Sequence, residues 1–157
     1  MVILLLLGGA SGARAAGPDP YPGLSPEEIL GFDRIFVELL VESYRWDLWA
    51  VAYIVNGGAS DDSFEYFRYW IISQGQKYYE AALENPEKAA DAASSNQENE
   101  CEDIRYVAGM AYEEKTGEEI PQSVTSAYPA YPSEPIGTPW TEDDLESLYP
   151  KLSKKFG

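Results

Sequence analysis

The 157-residue chain has no histidine and only one cysteine, Cys101. Without histidine, Ser-His and Cys-His catalytic pairs and histidine-ligated metal sites are excluded. A single thiol forms neither an internal disulfide nor a Cys-x-x-Cys motif. Glycine-rich phosphate-binding and dinucleotide-binding patterns are also missing. We therefore expect no cofactor and no metal site, and we assign no catalytic residue. Whether the protein is an enzyme stays open, with a non-catalytic role favoured.

Positive charge is also scarce. The chain has 11 Lys and Arg residues against 27 Asp and Glu residues, a net charge of −16 at pH 7. Such a surface repels phosphate backbones and anionic lipid headgroups, so we expect no nucleic acid partner. A simpler interpretation is a solvated acidic surface that maintains solubility. The length is typical of one domain and allows a sizeable core.

Residues 1–23 differ from the rest of the chain. An uncharged apolar run, Val2 to Leu7, precedes small residues and the sequence Ala13-Arg14-Ala15, which fits a signal-peptidase site. The run is shorter than the roughly 20 residues that span a bilayer. We expect a signal or transit peptide that delivers the protein outside the cell or into an organelle lumen, such as the thylakoid lumen. The alternative is an apolar segment that packs on the domain or on a partner.

Residues 24–157 are predicted to form one all-α domain of five to seven helices. Ser25-Pro26-Glu27-Glu28 is a capping box that starts a helix running to about Tyr44. The almost wholly apolar run Trp46 to Val55 predicts a buried central helix that ends at Gly57-Gly58. Ser60-Asp61-Asp62 then starts the next helix, because its oxygens and charge suit a helix N-terminus.

The second half of the domain gives weaker signals. The spacing predicts helices over Gln76 to Leu83, Pro86 to about Ala93 and Glu102 to Thr116. Pro121 to Pro139 holds five prolines with tyrosines between them and has no helical period. We expect it to be an extended segment wrapped over the domain. Thr141-Glu142-Asp143-Asp144 caps a last short helix.

The chain resembles domain-of-unknown-function family 4240. The resemblance rests on LSPEEILGFDRIF from Leu24, YRWDLWAVAYIVNGG, SDDSFEYFRYWIISQG, the Tyr112 to Gly117 helix end and the Trp140 to Leu145 tail. It extends from Leu24 to Gly157. The resemblance implies a small helical domain of a mainly bacterial family. It implies no agreed activity, substrate or cofactor.

Polar residues cluster in sequence around the Gly57-Gly58 turn. A small ligand site is one interpretation, with carboxylate oxygens and an arginine as binding groups. The candidate ligand-binding residues are Asp47, Asn56, Asp61, Asp62 and Arg68. The alternative is that most of them are helix caps. Asp47, inside the apolar helix, needs a partner such as Arg45 or Arg68.

Aromatic residues are abundant, with 12 tyrosines and 4 tryptophans. Those near the centre of the chain are expected to pack in the core, although a pocket is an alternative. Aromatic residues in or near the Pro-rich segment are predicted as interface anchors. These candidates are Tyr128, Tyr131, Trp140 and Tyr149.

Three functional hypotheses follow. The favoured one is a non-catalytic accessory or structural subunit that acts by protein–protein interaction within a larger, membrane-associated assembly. Its partners are then protein subunits, with a photosynthetic complex as one candidate host, and the domain itself does not span the bilayer. The second is a small enzyme or ligand-binding domain built around Asp61, Asp62 and Arg68. The third is a soluble regulatory or immunity-type binding protein.

Overall fold

A computed structural model of the chain describes residues 23–95 and 99–157. Within these ranges the chain forms eight α-helices, two 3₁₀ helices and, instead of a strand, only an isolated bridge between Arg45 and Ile136. The predicted all-α fold is therefore confirmed. The α-helices are α1 (Pro26–Glu42), α2 (Trp46–Asn56), α3 (Asp61–Ser73), α4 (Gln76–Glu84), α5 (Val107–Thr116), α6 (Gln122–Thr125), α7 (Glu142–Leu148) and α8 (Pro150–Phe156), and the 3₁₀ helices are Pro86–Ala90 and Glu102–Tyr106.

The first three helices have the ends that their sequences predict. At the start of α1, the Ser25 amide donates to Glu28 Oε2 at 2.7 Å and the Glu28 amide donates to Ser25 Oγ at 3.2 Å, which completes the capping box. Gly57 ends α2 in the left-handed conformation, with φ 70°. Ser60 caps α3, because its Oγ accepts from the Ser63 amide at 3.2 Å.

Two segments differ from their predicted form. The helix expected over residues 102–116 is divided into a 3₁₀ helix followed by α5, and such tight turns are common where an α-helix begins. The Pro-rich segment contains the short helix α6, which has only four residues. A segment that short shows no helical period in the sequence. These short elements take the helix count of the described ranges above the five to seven expected.

The chain divides into two compact units. The first comprises residues 23–38 and 103–129 of the described chain, and it holds most of α1 together with α5 and α6. Its core is a cluster of apolar side chains from α1 and α5. The buried members are Ile29, Phe32, Val107, Ala108 and Ala111, with Leu24 and Tyr112 packed against them.

The second unit comprises residues 39–102 and 130–157. Helix α2 packs against α3, α8 and the 3₁₀ helix Pro86–Ala90, while α3 also packs against α4. Six of the eleven residues of α2 are buried, so the prediction of a central apolar helix is confirmed. Phe64, Phe67, Ile71 and Ile72 of α3 complete the interior. The prediction of a single domain over residues 24–157 stays a prediction.

None of the helices formed by residues 23–95 and 99–157 is long and apolar enough to cross a membrane. The apolar leader and its Ala13-Arg14-Ala15 site lie outside the described residues.

Candidate functional site

The residues around the Gly57-Gly58 turn have separate surroundings. Asp61 and Asp62 are exposed in the first turn of α3, where their negative charge suits the positive end of the helix. Arg68, two turns later on the same helix, is buried. Within the described part of the chain, neither aspartate forms an ion pair with Arg68. The structure therefore does not bring these three predicted site residues together.

Asn56 belongs to a buried amide network. Its Oδ1 accepts from the Asn99 amide at 3.3 Å and from Asn99 Nδ2 at 3.0 Å. The Asn99 side chain, which is 1% exposed, also bonds the backbone of Ser94 in both directions. These contacts tie Ser94 and Asn99 to the end of α2. Asn56 Nδ2 is buried and has no hydrogen-bond partner among the described residues.

Asp47 is paired with Arg45. Arg45 Nε donates to Asp47 Oδ1 at 2.9 Å and Arg45 Nη2 donates to Asp47 Oδ2 at 2.5 Å. The Leu48 amide also donates to Asp47 Oδ1, at 2.8 Å. The hydrogen bonds to Asp47 raise the pKa of Arg45. Of the two partners that the sequence suggests for Asp47, the structure selects Arg45.

Arg68 is only 3% exposed, and aromatic rings surround its guanidinium group. The guanidinium carbon lies 4.8 Å from the ring centroid of Phe64, 5.1 Å from that of Tyr44 and 5.4 Å from that of Tyr131. Nη1 donates to the Leu40 carbonyl at 2.8 Å and to the Tyr131 hydroxyl at 3.5 Å. We call these five residues the Arg68 cage.

Among the described residues, no carboxylate is paired with the charge of Arg68. Within the described ranges, no carboxylate oxygen lies within 4 Å of its side-chain nitrogens, and its Nε is buried without a hydrogen-bond partner. Cation–π contacts contribute about 0.5–2 kcal/mol each, and a hydrogen bond from a charged donor about 1.5–3 kcal/mol. The three rings and the Leu40 carbonyl therefore offset part of the cost of burying a charge that an acid usually accompanies.

Trp140, a predicted interface anchor, makes close contacts within the second unit. Its indole Nε1 donates to the Trp46 carbonyl at 2.6 Å. Its ring stands edge-on to Trp46 at 6.1 Å and to Tyr53 at 5.6 Å between centroids. A few residues earlier, Ile136 accepts from the Trp46 amide at 2.9 Å and donates to the Tyr44 carbonyl at 2.8 Å. Residues 136–140 are thus fixed to the start of α2.

The three predicted anchor tyrosines differ in exposure. Tyr131 is 41% exposed, and its ring meets Tyr44 edge-on at 5.6 Å. Tyr149 is half-buried, and burial followed by the charge of Asp47 raises its pKa. Tyr128 is half-buried in the first unit, and its pKa is raised to about 12 by burial and then by Asp33.

Some members of these sites give no signal in the sequence. Tyr44 and Phe64 complete the Arg68 cage, although their spacing predicts only core positions. Asp33, beside Tyr128, is a buried carboxylate at 5% exposure with Arg105 Nη1 at 3.9 Å from its Oδ1. Asp33 follows the buried Phe32 on α1, where a polar residue beside the apolar face is common, so the sequence does not single it out.

No group of three or more histidine, cysteine, aspartate or glutamate side chains is placed to hold a metal ion in residues 23–95 and 99–157. Cys101 is partly buried, and its backbone amide donates to the Tyr66 carbonyl at 3.3 Å.

Comparison with known proteins gives one match. The family model described as "Protein of unknown function (DUF4240)" matches residues 22–114. The chain belongs to this family. The DUF4240 match includes α1 to α4, residues 107–114 of α5 and the cage residues Tyr44, Phe64 and Arg68, whereas Tyr131 lies beyond it. The predicted likeness of residues 115–157 to the family stays a prediction. No curated protein and no solved structure matches the chain significantly.

Proposed function

We propose that the protein is a non-catalytic accessory or structural subunit that acts by protein–protein interaction within a larger, membrane-associated assembly. The observation that carries this proposal is a set of exposed apolar side chains in the first unit. Ile35 is 55% exposed, Tyr106 is 54% exposed and Met110 is 51% exposed. We call these three residues the outer apolar set.

Two members of the outer apolar set are close in the helical register. Tyr106 and Met110 are four residues apart where the 3₁₀ helix passes into α5, so they lie on neighbouring turns. Burying an apolar side chain contributes about 25 cal/mol per Å². Tyrosine and methionine are enriched at interfaces, whereas most helix faces in contact with water are polar. A protein partner that covers this set explains why large apolar groups are kept at the surface.

The net charge and the predicted signal or transit peptide suggest what kind of partner the protein has and in which compartment the two meet. A net charge of −16 favours a partner with a basic face, because complementary charge speeds association and excludes acidic competitors. The targeting segment predicted from the sequence supports delivery to an organelle lumen. A photosynthetic membrane complex facing the thylakoid lumen is the host that this combination suggests.

The proposal is tested by Met110→Gln, which keeps the helix propensity of α5 and removes an exposed apolar group. Purified tagged protein is incubated with detergent-solubilised host membranes, and the retained complex is quantified by mass spectrometry. We expect retention to fall about fivefold, since losing about 1 kcal/mol of apolar burial changes an equilibrium by that factor. Glu114→Gln, an exposed change on the same helix, is the matched control. Equal retention of both variants contradicts the proposed surface.

A ligand-binding domain is the second candidate, and the Arg68 cage is the observation that favours it. The guanidinium is buried, no carboxylate of residues 23–95 or 99–157 is paired with it, and it therefore has unused binding capacity, whereas Asp61 and Asp62 lie in a helix N-terminus. A soluble regulatory or immunity-type protein is the third. A salt wash of the membranes distinguishes the two, because a regulatory protein is released into the supernatant whereas a subunit stays with the membrane complex.

A further inference from the structure

The guanidinium group of Arg68 has one edge without a hydrogen bond. Among the residues described, Nη1 is the only nitrogen of this side chain that donates, to Leu40 and Tyr131. Nε is buried and unpartnered. The edge formed by Nε and Nη2 therefore has two donors that point in parallel and meet no acceptor from the described chain.

An unsatisfied donor in this position is costly. Leaving a buried polar group without a partner costs about 1–3 kcal/mol, and more when the group is charged. Asp61 and Asp62 do not supply an acceptor for this donor, because they are exposed in the first turn of α3 and form no ion pair with Arg68. An acceptor from outside the described residues relieves this cost, and a bound ligand is one source of such an acceptor.

We propose that the Nε–Nη2 edge of Arg68 is a binding site for a small oxyanion, a carboxylate or a phosphate. The parallel N–H groups of this edge match two coplanar oxygens in a bidentate pair. The rings of Phe64 and Tyr44 keep water from the faces of the guanidinium, which strengthens the pairing.

Tyr131 is the most exposed side chain of the Arg68 cage. Phe64 is fully buried on α3, whereas Tyr131 is 41% exposed and lies in an irregular segment. The negative charge of the whole protein opposes anions at long range, but salt at 0.15 M screens exposed charges beyond about 8 Å. The local donors therefore decide the affinity.

This site does not depend on the proposed subunit role. It is built from residues of the second unit, whereas the outer apolar set belongs to the first. The two tests therefore use different residues, and each can fail without the other.

The test uses the arginine Nε–H signals in proton–nitrogen NMR spectra of the wild-type protein. Sodium phosphate and sodium acetate are added separately, with sodium chloride at equal ionic strength as the reference. We expect the Arg68 Nε–H signal to shift and to saturate with phosphate, acetate or both. Arg34 and Arg45 are internal controls, because their Nε groups already donate to Glu38 and Asp47. Arg68→Lys, which removes the Nε–H, identifies the signal.

The titration decides whether Arg68 binds an oxyanion and which kind it binds. Saturation with phosphate alone assigns a phosphate ligand, saturation with acetate alone assigns a carboxylate, and saturation with both assigns a general oxyanion site. A shift equal to that in chloride, or equal to the shifts of Arg34 and Arg45, overturns the proposal. If Arg68→Lys fails to fold, the signal is identified instead by its contacts to the rings of Phe64 and Tyr44, and the wild-type titration still decides.

Discussion

Replacing Trp140 tests whether the Pro-rich segment is fixed to α2 by the contacts described above. Trp140→Phe removes the indole N–H that donates to the Trp46 carbonyl at 2.6 Å and keeps an aromatic ring in place. Trp140→Ala removes the ring as well, with its edge-on contacts to Trp46 and Tyr53. The two variants therefore separate the hydrogen bond from the ring contacts.

The expected loss of stability follows from these contacts. A neutral hydrogen bond contributes about 1 kcal/mol to the free energy of unfolding, so Trp140→Phe is expected to lose about that amount. Each aromatic pair contributes about 0.5–1.5 kcal/mol beyond its buried area. Trp140→Ala is therefore expected to lose about 3 kcal/mol in total. This is at the low end of losses for large aromatic residues, because Trp140 is half-buried.

Urea unfolding followed by circular dichroism measures both losses. Trp70→Phe is the matched control. The Trp70 ring contacts Phe67 at 5.5 Å and Tyr78 at 5.9 Å, but its indole nitrogen bonds none of the described residues. The difference between Trp140→Phe and Trp70→Phe is therefore expected to be about 1 kcal/mol. A Trp140→Ala loss below about 0.5 kcal/mol, within the range of ordinary surface changes, refutes the reasoning.

Two further predictions concern backbone conformation and pH. Gly57→Ala is expected to destabilise the protein by about 1 kcal/mol, because φ at Gly57 is +70°. Gly109 lies inside α5, and no atom lies within 4 Å of a Cβ added there. Gly109→Ala is therefore expected to stabilise the protein by about 0.5–1 kcal/mol. Thermal unfolding measures both, and changes of the same sign contradict the assignment. Burial, and then the charge of Glu42, raises the pKa of Tyr79 above its ordinary value. Because folding favours the neutral phenol of Tyr79, the raised pKa contributes to the stability of the folded protein. This stabilisation is fully present below a pH of about 10 and is lost as pH rises further. Tyr79→Phe is therefore expected to reduce the fall of the urea midpoint between about pH 10 and pH 11, and an equal fall in both proteins refutes the attribution.

Helix ends were predictable because they depend on neighbouring residues. Ser25 and Glu28 form their capping box wherever the rest of the chain lies, and Gly57 ends α2 because its left-handed conformation suits glycine. The burial of α2 was predictable for a similar reason, since an apolar surface on all sides needs cover. The short helix α6 was not, because four residues carry no period.

The Arg68 cage was not predictable from sequence spacing. Its Tyr44 and Tyr131 are 24 and 63 residues from Arg68 along the chain, and only the fold brings them together. The sequence instead suggests Asp61 and Asp62 as companions of Arg68, because they share a helix. Their charges suit the helix end where they lie, and this local role keeps them exposed.

The subunit proposal is tested most directly by isolating the native protein under mild detergent. Size-exclusion chromatography of the extract, with mass spectrometry of the fractions, shows the size at which the protein migrates. The proposal predicts stoichiometric co-migration with a large membrane complex. Migration only as a free monomer, near the 17.4 kDa of the chain, contradicts it.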